Sequence, residues 1–201
     1  MSSKTEMCNL ALSHDGVSKE IANVETENSA NAAACRRFFE PARDETFRDF
    51  NWPFAKKFVT LGLVESDPNT DWAYSYRYPS DCMRIRKILS GIRNDSRQSR
   101  VVYERASDDS GGLIFTDEAN AVLKYTKKVT DVGLFTPDYI MMFSLLLASY
   151  IAPRVTAGDP FKLGERAFKL YAFSKTKAEA TAFNEEQDDE LVESEFIRVR
   201  G

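Results

Sequence analysis

The chain has 201 residues and a mass of 22.8 kDa, enough to bury one core or two small ones without disulfides or metal. Its 27 Lys and Arg face 31 Asp and Glu, and the resulting net charge of −4 disfavours a protein that holds duplex nucleic acid by wrapping phosphates. Three scattered cysteines (Cys8, Cys35, Cys82) suit neither a disulfide framework nor a zinc site and point to a reducing compartment, while a lone histidine, His14, disfavours multi-histidine metal sites and most triad chemistry.

Residues 1–16 lack a basic start and a long apolar run, so no signal peptide is expected. The first helix is expected over Lys4–His14, because Met7, Leu10, Ala11 and His14 fall on one face and Gly16 follows as a stop. A second helix is expected over Asn28–Phe50. Cys35, Phe38, Phe39, Ala42, Thr46 and Phe50 carry its helical spacing, and Pro41 predicts a kink or break. Trp52-Pro53-Phe54 marks its exit.

From 57 to 129 the period changes to two. Val59, Leu61 and Leu63 alternate, and so do Trp72, Tyr74, Tyr76 and Tyr78, which predicts a half-buried strand with aromatics on one face. Val101–Tyr103 and Leu113–Phe115 flank SDDSGG as the arms of a hairpin, and Leu123, Tyr125, Lys127 and Val129 form another alternating run. Helix signals return at Thr136-Pro137, with an end before Pro153, and again at Asp159-Pro160. In the last helix, to about Phe183, the residues Leu163, Ala167, Leu170, Tyr171, Ser174 and Ala178 share one face. The apolar stretch Tyr139–Ala152 is shorter than the roughly 20 residues a membrane crossing needs and reads as a buried helix.

The expected fold is therefore α+β. Residues 1–55 and 131–183 supply N- and C-terminal helix pairs for a four-helix bundle, 56–130 form an inserted small antiparallel β-sandwich or barrel, and 184–201 form an extended acidic tail. The tail reads NEEQDDELVESE, with seven carboxylates and no base, then FIRVRG. Its carboxylates Glu185, Glu186, Asp188, Asp189 and Glu190 lack the spacing of a calcium loop and read as a solvated run.

A basic segment spans Arg84, Arg86, Lys87, Arg93, Arg97, Arg100 and Arg105. It reads as a solvated loop, charge-protected edge strands, a phosphate contact or a face for an acidic partner. His14 reads as a solvated or capping residue, and Cys8 and Cys35 as small core residues. No catalytic, metal-binding or cofactor-binding set emerges, and no cofactor is expected. A cysteine-dependent enzyme stays as the third reading, behind an interaction protein of some other assembly.

Several phrases occur in a telling order. They are CNLAL; the acidic loop into an Ala-rich helix, Glu25–Ala34; Cys35-Arg36-Arg37 with Pro41–Glu45; Asn51–Ala55; Tyr74–Cys82; Leu123-Lys124-Tyr125; and VTDVGLFTPDYIMMFSLLLASYIAPRVTAGD. Over about residues 6–183 the chain resembles the tail tubular protein A family, the head-to-tail adaptors of tailed bacteriophages. The resemblance implies a non-enzymatic virion protein at the head–tail junction. Such a protein forms a dodecameric ring that joins the portal protein to the tail nozzle, with DNA passing through its channel without sequence-specific binding and no membrane involved. Within that frame Leu191, Val192, Phe196, Ile197, Arg198, Val199 and Arg200 are candidate contacts to the portal or a neighbouring subunit. Arg93, Arg97 and Arg100 pair as candidate inter-subunit contacts with Glu185, Glu186, Asp188, Asp189 and Glu190.

Overall fold

The structure, a computed structural model, describes residues 3–91 and 101–185. It is mixed helix and sheet, and the chain divides into two compact units at Ala55/Lys56 and Lys127/Lys128.

The helical unit contains α1 (Lys4–His14), α2 (Ala30–Asp49), α3 (Pro137–Val155) and α4 (Leu163–Glu185). The first helix has a capping box at its start. The Glu6 amide donates to Ser3 Oγ at 3.1 Å, and the Ser3 amide donates to the Glu6 carboxylate at 2.7 Å. At its end Gly16 takes φ +72°, and the amides of Gly16 and Val17 donate to the carbonyls of Ser13 and Leu12, which is a Schellman stop. The following loop is tied back by two side chains. Asn9 exchanges two hydrogen bonds with the Ile21 backbone, and Arg36 donates to the Val24 and Glu27 carbonyls at 2.6 and 2.9 Å.

The second helix begins at a Ser29 cap and runs through Pro41 as one helix, so of the expected kink or break there is no break. Pro41 and Arg37 are both exposed, so the carbonyl that loses its donor is on the solvent side and water can satisfy it. The third helix starts as expected, with a Thr136 cap and Pro137 in the first turn. It continues past Pro153 to Val155, because an exposed proline in the last turn costs little there.

This third helix is the centre of the unit. Met142–Ala148 are all buried, and α1, α2 and α4 each pack against it. Around its first turns the ring of Tyr139 lies 4.8 to 6.0 Å from those of Phe47, Trp52, Phe54, Phe135 and Phe143. The polar ends are satisfied. Tyr139 Oη and Thr46 Oγ1 lie 2.7 Å apart, and Trp52 Nε1 donates to the Thr46 carbonyl at 2.9 Å.

The fourth helix starts three residues later than Asp159-Pro160 suggests. Asp159, with φ +59°, turns its carboxylate to accept from the amides of Leu163 and Gly164, so it caps from a distance while Pro160 stays outside the helix. The face expected to be buried is narrower in fact. Gly164, Ala167, Tyr171, Ala178 and Ala182 are buried, but Leu170 is 46% exposed. These small residues bring α4 close to α3. A Cβ on Gly164 would sit 3.1 Å from Ala152 Cβ, from Asp159 Oδ2 and from the Ser149 carbonyl.

The β unit holds seven strands among the described residues. They are β1 (Lys56–Thr60), β2 (Leu63–Ser66), β3 (Tyr74–Arg77), β4 (Cys82–Leu89), β5 (Glu104–Asp108), β6 (Gly111–Thr116) and β7 (Val122–Lys127). They form two antiparallel sheets, β1-β7-β4 and β2-β3-β6-β5. The link between β1 and β2 bonds to both, with the Leu61 amide on the Ala121 carbonyl and the Gly62 carbonyl taking the Arg77 amide.

One cluster is shared by residues of the two sheets: Leu61, Tyr76, Ile88, Ile114, Ala121, Leu123 and Tyr125. The tyrosine alternation therefore serves packing. Tyr76 is 2% exposed, its hydroxyl donates to the Glu118 carbonyl, and Tyr74 and Tyr78 lean on the same cluster. The SDDSGG signal does close a hairpin, with Asp108 opposite Gly111. Its first arm starts at Glu104, while Val101 and Tyr103 pack against the core from outside any strand.

Candidate interaction surface

Of the candidate contact residues in the tail and the basic segment, the structure places one. Glu185 is the last residue of α4 and is exposed. Arg93, Arg97, Arg100, Glu186, Asp188, Asp189, Glu190, Leu191, Val192, Phe196, Ile197, Arg198, Val199 and Arg200 lie outside the described residues. The front of the basic segment is an edge strand, one of the readings its charge pattern allowed. Arg84 and Lys87 are exposed on β4, and Arg86 Nε donates to Thr126 Oγ1 of β7 at 3.0 Å. Arg105, on β5, stacks 4.8 Å above the Tyr78 ring.

The most informative surface belongs to α4, where a second apolar side faces solvent. Phe161 just before the helix is 81% exposed and Phe173 is 77% exposed. Phe168, Leu170 and Phe183 are each about half exposed. At about 100° per residue, Phe168, Ala172, Phe173, Thr176, Ala180 and Phe183 fall on the solvent side of the helix, and all six are exposed. A small protein leaves this many large aromatics in water only at a price in solubility, and such a patch marks a contact surface. The sequence carries the signal as a second apolar stripe on α4, which a search for one buried face passes over.

Behind that surface the opposite face of α4 packs against α3 through Gly164, Ala167, Tyr171, Ala178 and Ala182. Lys175 adds an ion pair to Asp49 of α2 at 2.9 Å.

The β unit has an open cleft of about 610 Å³ walled in part by Val59, Leu61, Tyr78 and Pro79. The Arg77 guanidinium at its edge is engaged by Asp108 through two bonds of 2.7 and 2.9 Å, which raises the Arg77 pKa and lowers that of Asp108.

The groups with chemistry to offer sit elsewhere. His14 is not the solvated cap its position suggests. It is half-buried, its Nε2 lies 3.1 Å from Ser144 Oγ on α3, and burial pushes its pKa down. Asp15, next in sequence, is 2% exposed, and neither carboxylate oxygen has a partner among the described residues. Burial first, then the nearby Asp159 carboxylate, pushes its pKa up to about 7. Cys8 and Cys35 are both buried, so neither is placed as a nucleophile that must reach a substrate. Cys82 is half-buried and burial raises its pKa. Among the described residues no group of three or more His, Cys, Asp or Glu could hold a metal ion, and no helix is long and apolar enough to cross a membrane. No protein-family model matches the chain, and no curated protein matches it.

Proposed function

We propose that the chain is a structural subunit of a phage head-to-tail junction, an adaptor with no catalytic role. It closes into a dodecameric ring that joins the portal to the tail nozzle and forms part of the DNA ejection channel. The observation that carries an assembly role is the aromatic solvent side of α4, which needs a protein partner to cover it. The ordered resemblance over residues 6–183 supplies the kind of assembly. Net charge supports it too, since a chain of net charge −4 suits a channel that lets DNA slide without gripping its phosphates.

In this reading the four helices act as a bundle that buttresses the ring, and the two sheets act as an inserted sandwich facing the distal tail components. A ring requires two different patches on each subunit. The α4 surface is one, buried against a neighbouring copy. Arg93, Arg97 and Arg100 against Glu185, Glu186, Asp188, Asp189 and Glu190 of the next copy supply the charge complement. Leu191, Val192, Phe196, Ile197, Arg198, Val199 and Arg200 grip the portal or the adjacent subunit. The protein works in the virion and is assembled in the host cytoplasm.

Phe173→Asp tests the α4 contact. The change sits in water in the isolated chain, so the melting temperature of the monomer should move by no more than about 2 °C. Ring formation on the portal, read by native mass spectrometry, should be lost. Rings that form normally from a Phe168→Asp/Phe173→Asp chain would remove α4 from the interface.

A further inference from the structure

An edge strand shows unpaired backbone N–H and C=O groups to solvent, and folded proteins blunt such edges with charge, shortness or cover. Among the described residues the β unit has four edges, β1 and β4 of one sheet and β2 and β5 of the other. Two are guarded by bases. β1 carries Lys56 and Lys57, and β4 carries Arg84, Arg86 and Lys87. A third, β5, has no large apolar residue, and its acids are engaged, Glu104 by Trp72 Nε1 at 3.0 Å and Asp108 by Arg77 at 2.7 Å.

The fourth edge, β2, differs from the other three. All its residues are exposed, Leu63 at 56% and Val64 at 45%. Its pairing with β3 skips Val64. Glu65, and Asp67 just after the strand, have no ion pair among the described residues. No Lys or Arg occurs between residues 61 and 76. The edge is therefore apolar and acidic.

The chain carries a segment of the complementary kind. Phe196-Ile197-Arg198-Val199-Arg200 is rich in strand formers, apolar and basic, with no acid. We propose that residues 196–200 of a neighbouring copy add to β2 as a fifth strand of its sheet. Main-chain bonds along the edge supply affinity. Arg198 and Arg200 meet Glu65 and Asp67, and the apolar residues of the segment cover Leu63 and Val64. The donor is a neighbouring copy because a closed ring needs two different patches on each subunit, and a strand with the edge that takes it is such a pair. In this the inference rests on the adaptor reading, and it gives the end of the tail one destination, the next subunit.

The test titrates a fluorescein-labelled peptide of residues 196–201 against the dilute full chain, with no portal present, and reads anisotropy. The expected result is saturable binding that Glu65→Arg weakens about tenfold. A peptide with Arg198→Glu and Arg200→Glu should bind the Glu65→Arg chain better than the parent chain, a gain that a misfolded variant would not give. A second full chain, Ile197→Asp/Val199→Asp, identifies the donor. A tail seated on its own edge competes at an effective concentration in the millimolar range, so the parent would then refuse a peptide that this variant accepts. Equal binding by the two chains is expected. No binding, binding indifferent to Glu65→Arg, or a parent that binds about tenfold more weakly than the tail variant would overturn the proposal. None of these results bears on the adaptor reading itself, which mass added to the portal tests separately.

Discussion

Raising the pH from 5 to 8 should destabilise the helical unit through one residue, and Asp15→Asn should abolish that component. Asp15 is 2% exposed, both its oxygens lack partners among the described residues, and Asp159 adds a like charge nearby. Its folded pKa of about 7 stands above the ordinary 3.8. Below 3.8 both states hold the proton and nothing is lost. Between 3.8 and 7 the unfolded chain ionises while the folded one keeps its proton, so stability falls as pH rises. Above 7 the loss is complete. From pH 5 to 8 the parent chain should lose about 3 kcal/mol relative to Asp15→Asn.

Three groups near Asp15 matter to the interpretation. Asp159 on the α3–α4 loop adds to the rise of its pKa, Cys35 on α2 feels its charge, and burial lowers the pKa of His14 beside it. The lowered pKa of His14 has the opposite sign, since its contribution is lost as pH falls through 6.5, so the comparison with Asp15→Asn isolates the carboxyl. Denaturant titrations at pH 5 and pH 8 measure both chains. Parallel pH profiles would show that Asp15 keeps its charge in the fold.

The second large effect lies at Tyr139. Tyr139→Ala should cost about 3–5 kcal/mol, the range for deleting a fully buried aromatic ring. Five rings lose their common neighbour, and Thr46 loses the hydroxyl beside it. Tyr139→Phe keeps the packing and should cost only about 1 kcal/mol. The ratio between the two, from urea unfolding, separates ring packing from the hydrogen bond. Equal costs would mean that the polar pair, and not the ring cluster, holds α2 to α3.

Local grammar was easy to read in this chain and tertiary adjacency was not. The bounds of α1 follow from its own residues, because a capping box and a glycine stop act within a few positions. The same holds for the start of α3 at Thr136-Pro137. Prolines misled where exposure decides their cost. Pro41 and Pro153 both sit on solvent faces, a fact that no spacing reveals. The α4 face was misjudged because the helix is apolar on two sides. The side that packs is the one with small residues around Gly164, where close approach to α3 is possible. The strand arm at Val101–Tyr103 has the right composition, yet Val101 and Tyr103 pack against the core, Val102 faces solvent, and pairing is left to Glu104–Asp108.

The candidate site divides in the same way. Charge runs are visible in any sequence, so the acidic tail and basic segment drew the binding assignments. Phe161, Phe168, Phe173 and Phe183 look like ordinary core residues until the fold shows which side of α4 is covered. The isolation of Asp15 is a product of helix packing and cannot be read from neighbours in the chain.

The most direct test of the proposed assembly role is the native mass of the purified protein, alone and mixed with the portal ring encoded beside it. A closed ring should add about 270 kDa to the portal, twelve times the 22.8 kDa chain. A monomer in solution is compatible with that outcome, since a ring can close on its template. A folded protein that adds no mass to the portal at micromolar concentration and low salt would contradict the adaptor reading.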